Sequence, residues 1–251
     1  AQKWWVSKSL RDFKNSLDKY NINLEIIETD TYKSFFEKLF TKKNFSIYWN
    51  KTYEPNYLQF DKYLSKKFES NNIEFKIFKG NILNEIDDIK KGDGSPFKVF
   101  TPFWRNAERF YFDKIPINYK KISKCKNKVS FFKNTYEENK IFPKKSWFKK
   151  FEKYWNPSEI KSDKVLNELI QKKIGNYHKT RDYPSIEGTS KISPYLKHGQ
   201  VHVEKIWETC HNLENKNTGF RKFINEIGWR EFSHSLINYF PQMLKGNLRK
   251  E

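Results

Sequence analysis

The chain is predicted to be α/β in its first part and all-α in its second. Three observations carry that prediction. Helix-like and strand-like patterns alternate up to about Asp88, every signal after Pro157 is helical, and a passage rich in lysine and asparagine with little periodicity lies between. Alternation of the first kind is the rhythm of a parallel sheet with crossover helices.

Trp5, Leu10, Phe13 and Leu17 fall at helical spacing and predict a helix over 4–19. The short, β-branched NLEIIET (23–29) reads as a buried strand. A second helix is expected over Thr31–Leu39, with Tyr32, Phe35, Phe36 and Leu39 on one face. FSIYW (45–49) is a second strand, Asn56–Phe68 a third helix and IEFKIFK (73–79) a third strand. No GxGxxG accompanies this sheet, so it carries no dinucleotide fingerprint. Gly92, Gly94 and Pro96 mark a turn before Val99–Phe110, a short aromatic-rich helix or extended segment.

Residues 111–156 are expected to connect two domains, 1–110 and 157–251, because a structureless loop of that length is uncommon inside one compact domain. The later helices are expected over Asp163–Ile174, Ser193–Tyr195 running into Gln200–His211, and Thr218–Tyr239.

With 251 residues, one large domain or two modest ones can bury a core. Apolar content is 37% but aromatic content 18%, so that core is built from Phe, Tyr and Trp. A net charge of +19 points to a polyanionic partner. Lys, Asn, Ile, Phe and Tyr are also the residues that AT-rich codons favour, which is the alternative source of the lysine. Cys125 and Cys210 form no CxxC and have no histidine pair beside them, so neither a disulfide framework nor a metal site is expected, and a reducing cytoplasm is. No apolar run reaches transmembrane length. The opening AQKWWVSKSL reads as the interior of a domain rather than as a targeting segment.

Two motifs can carry chemistry. GTSKIS (188–193) gathers three hydroxyls, a glycine and a lysine just before a helix, a donor set suited to an anion. The competing reading is an ordinary cap, Ser193 followed by Pro194. In FINEIGWREF, Phe223, Glu226 and Arg230 lie on one helical stripe with Trp229 beside Glu226. Glu226 and Arg230 can be a surface ion pair and Trp229 a core ring. Alternatively the indole stacks on a flat base while the carboxylate hydrogen-bonds its edge. Gly228, costing about 1 kcal/mol inside a helix, implies a close packing partner. Lys179 and Arg181 suit phosphate contacts or a solvated basic turn. The five histidines show no metal-ligand spacing.

Four blocks occur in an order that resembles the photolyase/cryptochrome family: YWNKTYEP (48–55), GDGSPFKVFTPFWRN (92–106), YHKTRDYPSIEGTSKISPYLKHGQ (177–200) and NEIGWREFSHSLINYFP (225–241). The resemblance is to a DNA photolyase, and within that to the class I enzymes acting on cyclobutane pyrimidine dimers. It implies an incomplete Rossmann-like α/β antenna domain, a long connector and an incomplete helical domain holding FAD. Carried over by position, Tyr177, Thr189, Ser190, Lys191, Ile192, Ser193, Phe223 and Arg230 are implied to contact FAD. Glu226 and Trp229 are implied to receive the flipped dimer, and Arg181 to contact DNA.

Asn56 matches a folate-antenna position, but Tyr57 replaces the acidic neighbour, so a folate or a deazaflavin antenna stays open. The implied protein is a monomer acting on dimer-containing DNA, with no membrane partner, by light-driven electron transfer from reduced FAD. The alternative is a cryptochrome-like blue-light photoreceptor without repair. The resemblance also implies that these residues are a fragment lacking both ends of the family pattern, inactive alone and binding FAD weakly or not at all.

Overall fold

The computed structural model describes residues 1–112, 121–135, 142 and 146–248, with Phe112 described by its backbone alone. Over these residues the chain forms two compact units. One comprises Ala1–Asn44, Ile117–Asn167 and Lys191–Val201, the other Phe45–Pro116, Glu168–Ser190 and His202–Glu251. The units interleave along the chain, unlike the linear partition 1–110, 111–156 and 157–251.

The first unit opens with α1 (Gln2–Asp18), which buries Trp4, Trp5 and Ser7. Trp5 anchors it: the indole N–H donates to Gln200 Oε1 at 2.8 Å, and the ring meets Tyr195 edge-on at 5.0 Å. Asn21, in the left-handed region at φ 59°, turns the chain after α1, and its side-chain amide donates to the carbonyls of Cys125 and Lys126. α2 (Tyr32–Leu39) begins where Thr31 Oγ1 accepts from the Ser34 N–H, so Thr31 is the cap and not part of the helix.

The expected strand over 23–29 does not form. Asn23–Thr29 joins no ladder; Glu25, Ile26 and Glu28 make polar contacts with residues 130–135 instead. The Glu25 carboxylate accepts from the N–H groups of Phe131 and Phe132 and from Ser130, and the Thr135 N–H donates to Ile26. A β-branched run states that a segment is apolar and extended; it does not supply the neighbouring strand a ladder needs. Residues 121–135 of the expected connector therefore lie against 20–28 within this unit. The rest of the connector up to Lys145, apart from Tyr111, Phe112 and Phe142, is outside the described residues. It is followed by the short α5 (Lys149–Glu152) and by α6 (Glu159–Glu168).

The second unit holds a parallel pair, β1 (Ile47–Asn50) and β2 (Phe75–Phe78), in register Ile47↔Phe75 to Asn50↔Phe78. α3 (Pro55–Ser70) is the crossover, opened by its proline and closed at Asn71–Asn72, with Asn72 at φ 54°. Phe68 of α3 is fully buried against Trp49 and Phe75. The stretch left open between helix and extended chain is helical: α4 runs Phe100–Phe112.

A π turn (Leu169–Lys173), a 3-10 turn (Ile174–Asn176) and α7 (Tyr177–Thr180) follow, where one helix to Ile174 was expected. α8 (Ser193–Lys197), in the first unit, and α9 (Val203–His211), in the second, are separate helices, because Gly199 at φ 71° breaks the chain between them. α10 (Thr218–Tyr239) has the expected bounds, with Asn217 capping Phe220 N at 3.0 Å. No helix among the described residues is long and apolar enough to cross a membrane.

Candidate functional site

The site is built on α10, whose buried side is Phe220, Phe223, Ile224, Ile227, Gly228, Glu231, Phe232 and Ser235. That stripe turns Glu226 and Trp229 outward. Gly228 lets α4 approach: a Cβ there would lie 2.4 Å from the Trp104 ring. The close packing partner implied by a mid-helix glycine is thus Trp104.

Glu226 is half-buried and ion-paired with Arg181, which follows α7. It is therefore not a free carboxylate, and its partner is not Arg230. Burial works against the charge of Arg181, but the hydrogen bond and charge of Glu226 outweigh it and hold the guanidinium above its ordinary range. The same guanidinium lies 5.7 Å from the Tyr177 ring centroid and donates to Asp182 at 3.1 Å.

Trp229 is 48% exposed, which removes the core-ring reading. One indole face is covered by Phe100, stacked at 3.8 Å with an interplanar angle of 8°. The two implied lesion contacts thus lie three residues apart on α10, Glu226 half-buried and Trp229 exposed, and each already has a protein partner.

Arg230 pairs with the neighbouring Glu231, Nη1 to Oε1 at 3.1 Å. Burial pulls its pKa down, and Glu231 opposes the drop. Glu231 is 5% exposed and accepts from the Leu83 N–H at 2.8 Å. Burial pushes its pKa to about 7 against the pull of Arg230 and of the Leu83 and Asn84 amides. The residue was missed in sequence, although the signal was there. Glu231 stands at i+4 from Ile227 and i+7 from Ile224, on the apolar stripe.

Loop 79–85 is held in other ways too. Lys79 pairs with buried Glu204, and Asn81 Oδ1 accepts from Val203 N at 2.8 Å.

Tyr177 and Phe223 are buried, at 6% and 2% exposure, and meet edge-on at 5.4 Å. Burial raises the Tyr177 pKa, and a hydrogen bond with Ser190 acts in the opposite sense. Thr189 is exposed and Ser190 half-buried, both in the second unit; Lys191, Ile192 and Ser193 belong to the first. Lys191 occupies the left-handed region at φ 56°, Ile192 is buried and Ser193 exposed. The cap position falls on Ile192 and Ser193 is the first helical residue, so the helix starts one residue before the expected Ser193 cap allows. The hydroxyls of Thr189 and Ser190, within the second unit, are donors of the type a diphosphate takes. Phe223 offers no open ring face.

Asn56 and Tyr57 are exposed in the first turn of α3. His198 stacks on Trp5 and His202 caps α9, consistent with structural roles. Among the described residues no group of His, Cys, Asp or Glu is arranged to hold a metal.

Residues 1–119 match the family model described as DNA photolyase. A deoxyribodipyrimidine photo-lyase of Agrobacterium fabrum is 28% identical over 250 residues, 98% of this chain and 52% of that protein. Cryptochrome-2 of Arabidopsis thaliana is 25% identical over 275 residues, 99% of this chain and 44% of that protein. The crystal structure of a bacterial class III photolyase from Agrobacterium tumefaciens aligns with a TM-score of 0.87 at 26% identity, covering 99% of this chain and 52% of that one.

The fold is that of the photolyase/cryptochrome proteins, a small parallel α/β part with helical content. The matches in sequence support the same family for this chain, while the class I subdivision finds no support, since the structural relative is described as class III. The chain spans about half the length, or less, of these relatives.

Proposed function

We propose that this chain serves light-dependent repair of cyclobutane pyrimidine dimers in DNA, a carbon–carbon lyase reaction. FAD, when bound in its reduced form, supplies the electron that opens the dimer ring. Thr189, Ser190, Lys191 and Ser193 would hold its diphosphate through hydroxyl and ammonium donors. Tyr177, Ile192, Phe223 and Arg230 complete the cofactor set that the family resemblance implies.

The observation that carries the proposal is the exposed indole of Trp229 three residues from the Glu226 carboxylate on one helix. Trp229 presents a flat apolar face on which an extruded base stacks, and Glu226 accepts hydrogen bonds from its edge. Extrusion costs a few kcal/mol, less for a base that already stacks poorly. Arg181 and the +19 net charge supply salt-dependent contacts to the phosphate backbone. DNA containing dimers is then the partner, with the protein acting as a cytoplasmic monomer. An antenna of folate or deazaflavin type belongs to the same proposal, near Asn56.

The test is dimer cleavage under blue light by flavin-loaded protein, with Glu226→Gln in parallel. Cleavage lowered at least tenfold by the substitution supports the assignment. Wild-type cleavage in the variant removes Glu226 from it.

A second reading, a blue-light photoreceptor without repair, is favoured by one observation. Glu226 and Trp229 both have protein partners already, Arg181 and Phe100. Equal affinity for damaged and undamaged duplex would select that reading.

A further inference from the structure

α4 and α10 cross where Trp104 lies on Gly228. Phe100 stands four residues before Trp104, one turn back on the same face of α4, and Trp229 directly follows Gly228. The crossing therefore delivers the Phe100 ring onto the indole. The two rings are nearly parallel, 8° apart with centroids at 3.8 Å. Phe232 meets both edge-on at 6.0 Å, which fixes the pair from the side. Trp229 nevertheless keeps 48% of its surface exposed. One face of the indole is closed and the opposite face is available.

We infer that Phe100 is a positioning residue for base reading, acting through Trp229. The inference rests on the proposal that Trp229 stacks on a base. An exposed tryptophan without support must lose rotamer freedom when a base lands on it, and that ordering weakens binding. Phe100 imposes that order beforehand, in the free protein. It also sets direction, because a base can stack only on the face turned away from α4. The nearly parallel ring of Phe100 packs in van der Waals contact along the indole and so holds its plane.

The experiment measures affinity for a duplex oligonucleotide with one thymine dimer and for its undamaged counterpart, in wild type, Phe100→Ala, Phe100→Leu, Phe100→Tyr and Trp229→Ala. The readout is the ratio of the two affinities, with thermal unfolding recorded for each variant. Phe100→Ala and Phe100→Leu are expected to lower the ratio about 3- to 10-fold by weakening dimer binding, with undamaged-duplex affinity unchanged within about twofold. Phe100→Tyr keeps the stack and retains the ratio. Phe100→Leu preserves apolar packing against Phe232, so it decides the matter if the alanine variant unfolds.

A wild-type ratio in Phe100→Leu, alongside a lost ratio in Trp229→Ala, overturns the inference and leaves the base-reading proposal standing. An unchanged ratio in Trp229→Ala overturns both. A purely structural role would lower the melting temperature and both affinities together, and that outcome also counts against positioning.

Discussion

Arg181 and Glu226 cannot both keep their partner and serve DNA. If Glu226 receives the edge of an extruded base, the guanidinium must leave it, and a phosphate is its natural destination. Glu226→Gln tests this exchange by removing the charge that holds Arg181. The side chains retain 24% and 32% of their exposure, so the pair lies between the exposed and the buried case. Exposed pairs contribute about 0.2–1 kcal/mol and breaking a buried one costs about 3–5, which places this one at about 1–2 kcal/mol after solvent screening.

Release of that much holding energy raises affinity for undamaged duplex about 5- to 30-fold at low salt. The slope of log affinity against log salt steepens by about 0.9 for the one added phosphate contact. The assay is a salt titration of undamaged-duplex binding in wild type, Glu226→Gln, Arg181→Ala and the double variant. The double variant should lose the gain, because no guanidinium remains to be released. An unchanged slope in Glu226→Gln, or a gain that survives in the double variant, refutes the reasoning.

Three further outcomes are expected. Glu231 has a folded pKa raised to about 7, so the folded state binds a proton that the unfolded state releases above about 4.5. Its contribution is greatest in acid and is lost as pH rises through 7. His234, which burial and the Arg230 charge push down to about 4, contributes stability that is present above 6.5 and lost as pH falls towards 4. Glu231→Gln removes only the first, so the melting temperature of the variant minus that of wild type should climb between pH 4.5 and 7; a flat difference contradicts the buried-carboxylate assignment.

Gly228→Ala gains about 1 kcal/mol of helix propensity but drives a methyl into the Trp104 ring, an overpacking that costs about 1–3 kcal/mol. The expected net loss is about 1 kcal/mol and a few degrees of melting temperature, with a rise as the contrary result. Cys125 is exposed, whereas Cys210 is buried with its thiol pushed up to about 12, so a thiol reagent should label one cysteine in the native protein and two after denaturation.

The architecture was legible where one local signal sufficed. Thr218–Tyr239 shows its own ends, a capping Asn217 before it and Pro241 after it, and the strands at 45–49 and 73–79 flank a helix that begins at a proline. The segment 23–29 misled because pairing is a property of two strands, and one strand's composition does not contain it. Residues 99–110 stayed ambiguous because Phe and Trp suit either a strand or a helix; Trp104 settles on Gly228 only once the helices meet.

The site divides in the same way. That Glu226 and Trp229 share a helix follows from spacing alone. That Glu226 is held by Arg181 and Trp229 by Phe100 does not, since those partners arrive from distant parts of the chain. Glu231 was readable in the pattern, as a charge on an apolar stripe.

The bond from the Leu83 amide to Glu231 gives this protein a built-in spectroscopic indicator. A backbone N–H aimed at a carboxylate that titrates near 7 shifts in resonance frequency and in hydrogen exchange as that carboxylate gains its proton. Leu83 lies in the loop after β2, yet its signal reports the state of α10 at the residue next to Arg230. Nitrogen-15 labelling at leucine thus reads the seating of that helix at neutral pH with no dye, no bound flavin and no change to any side chain.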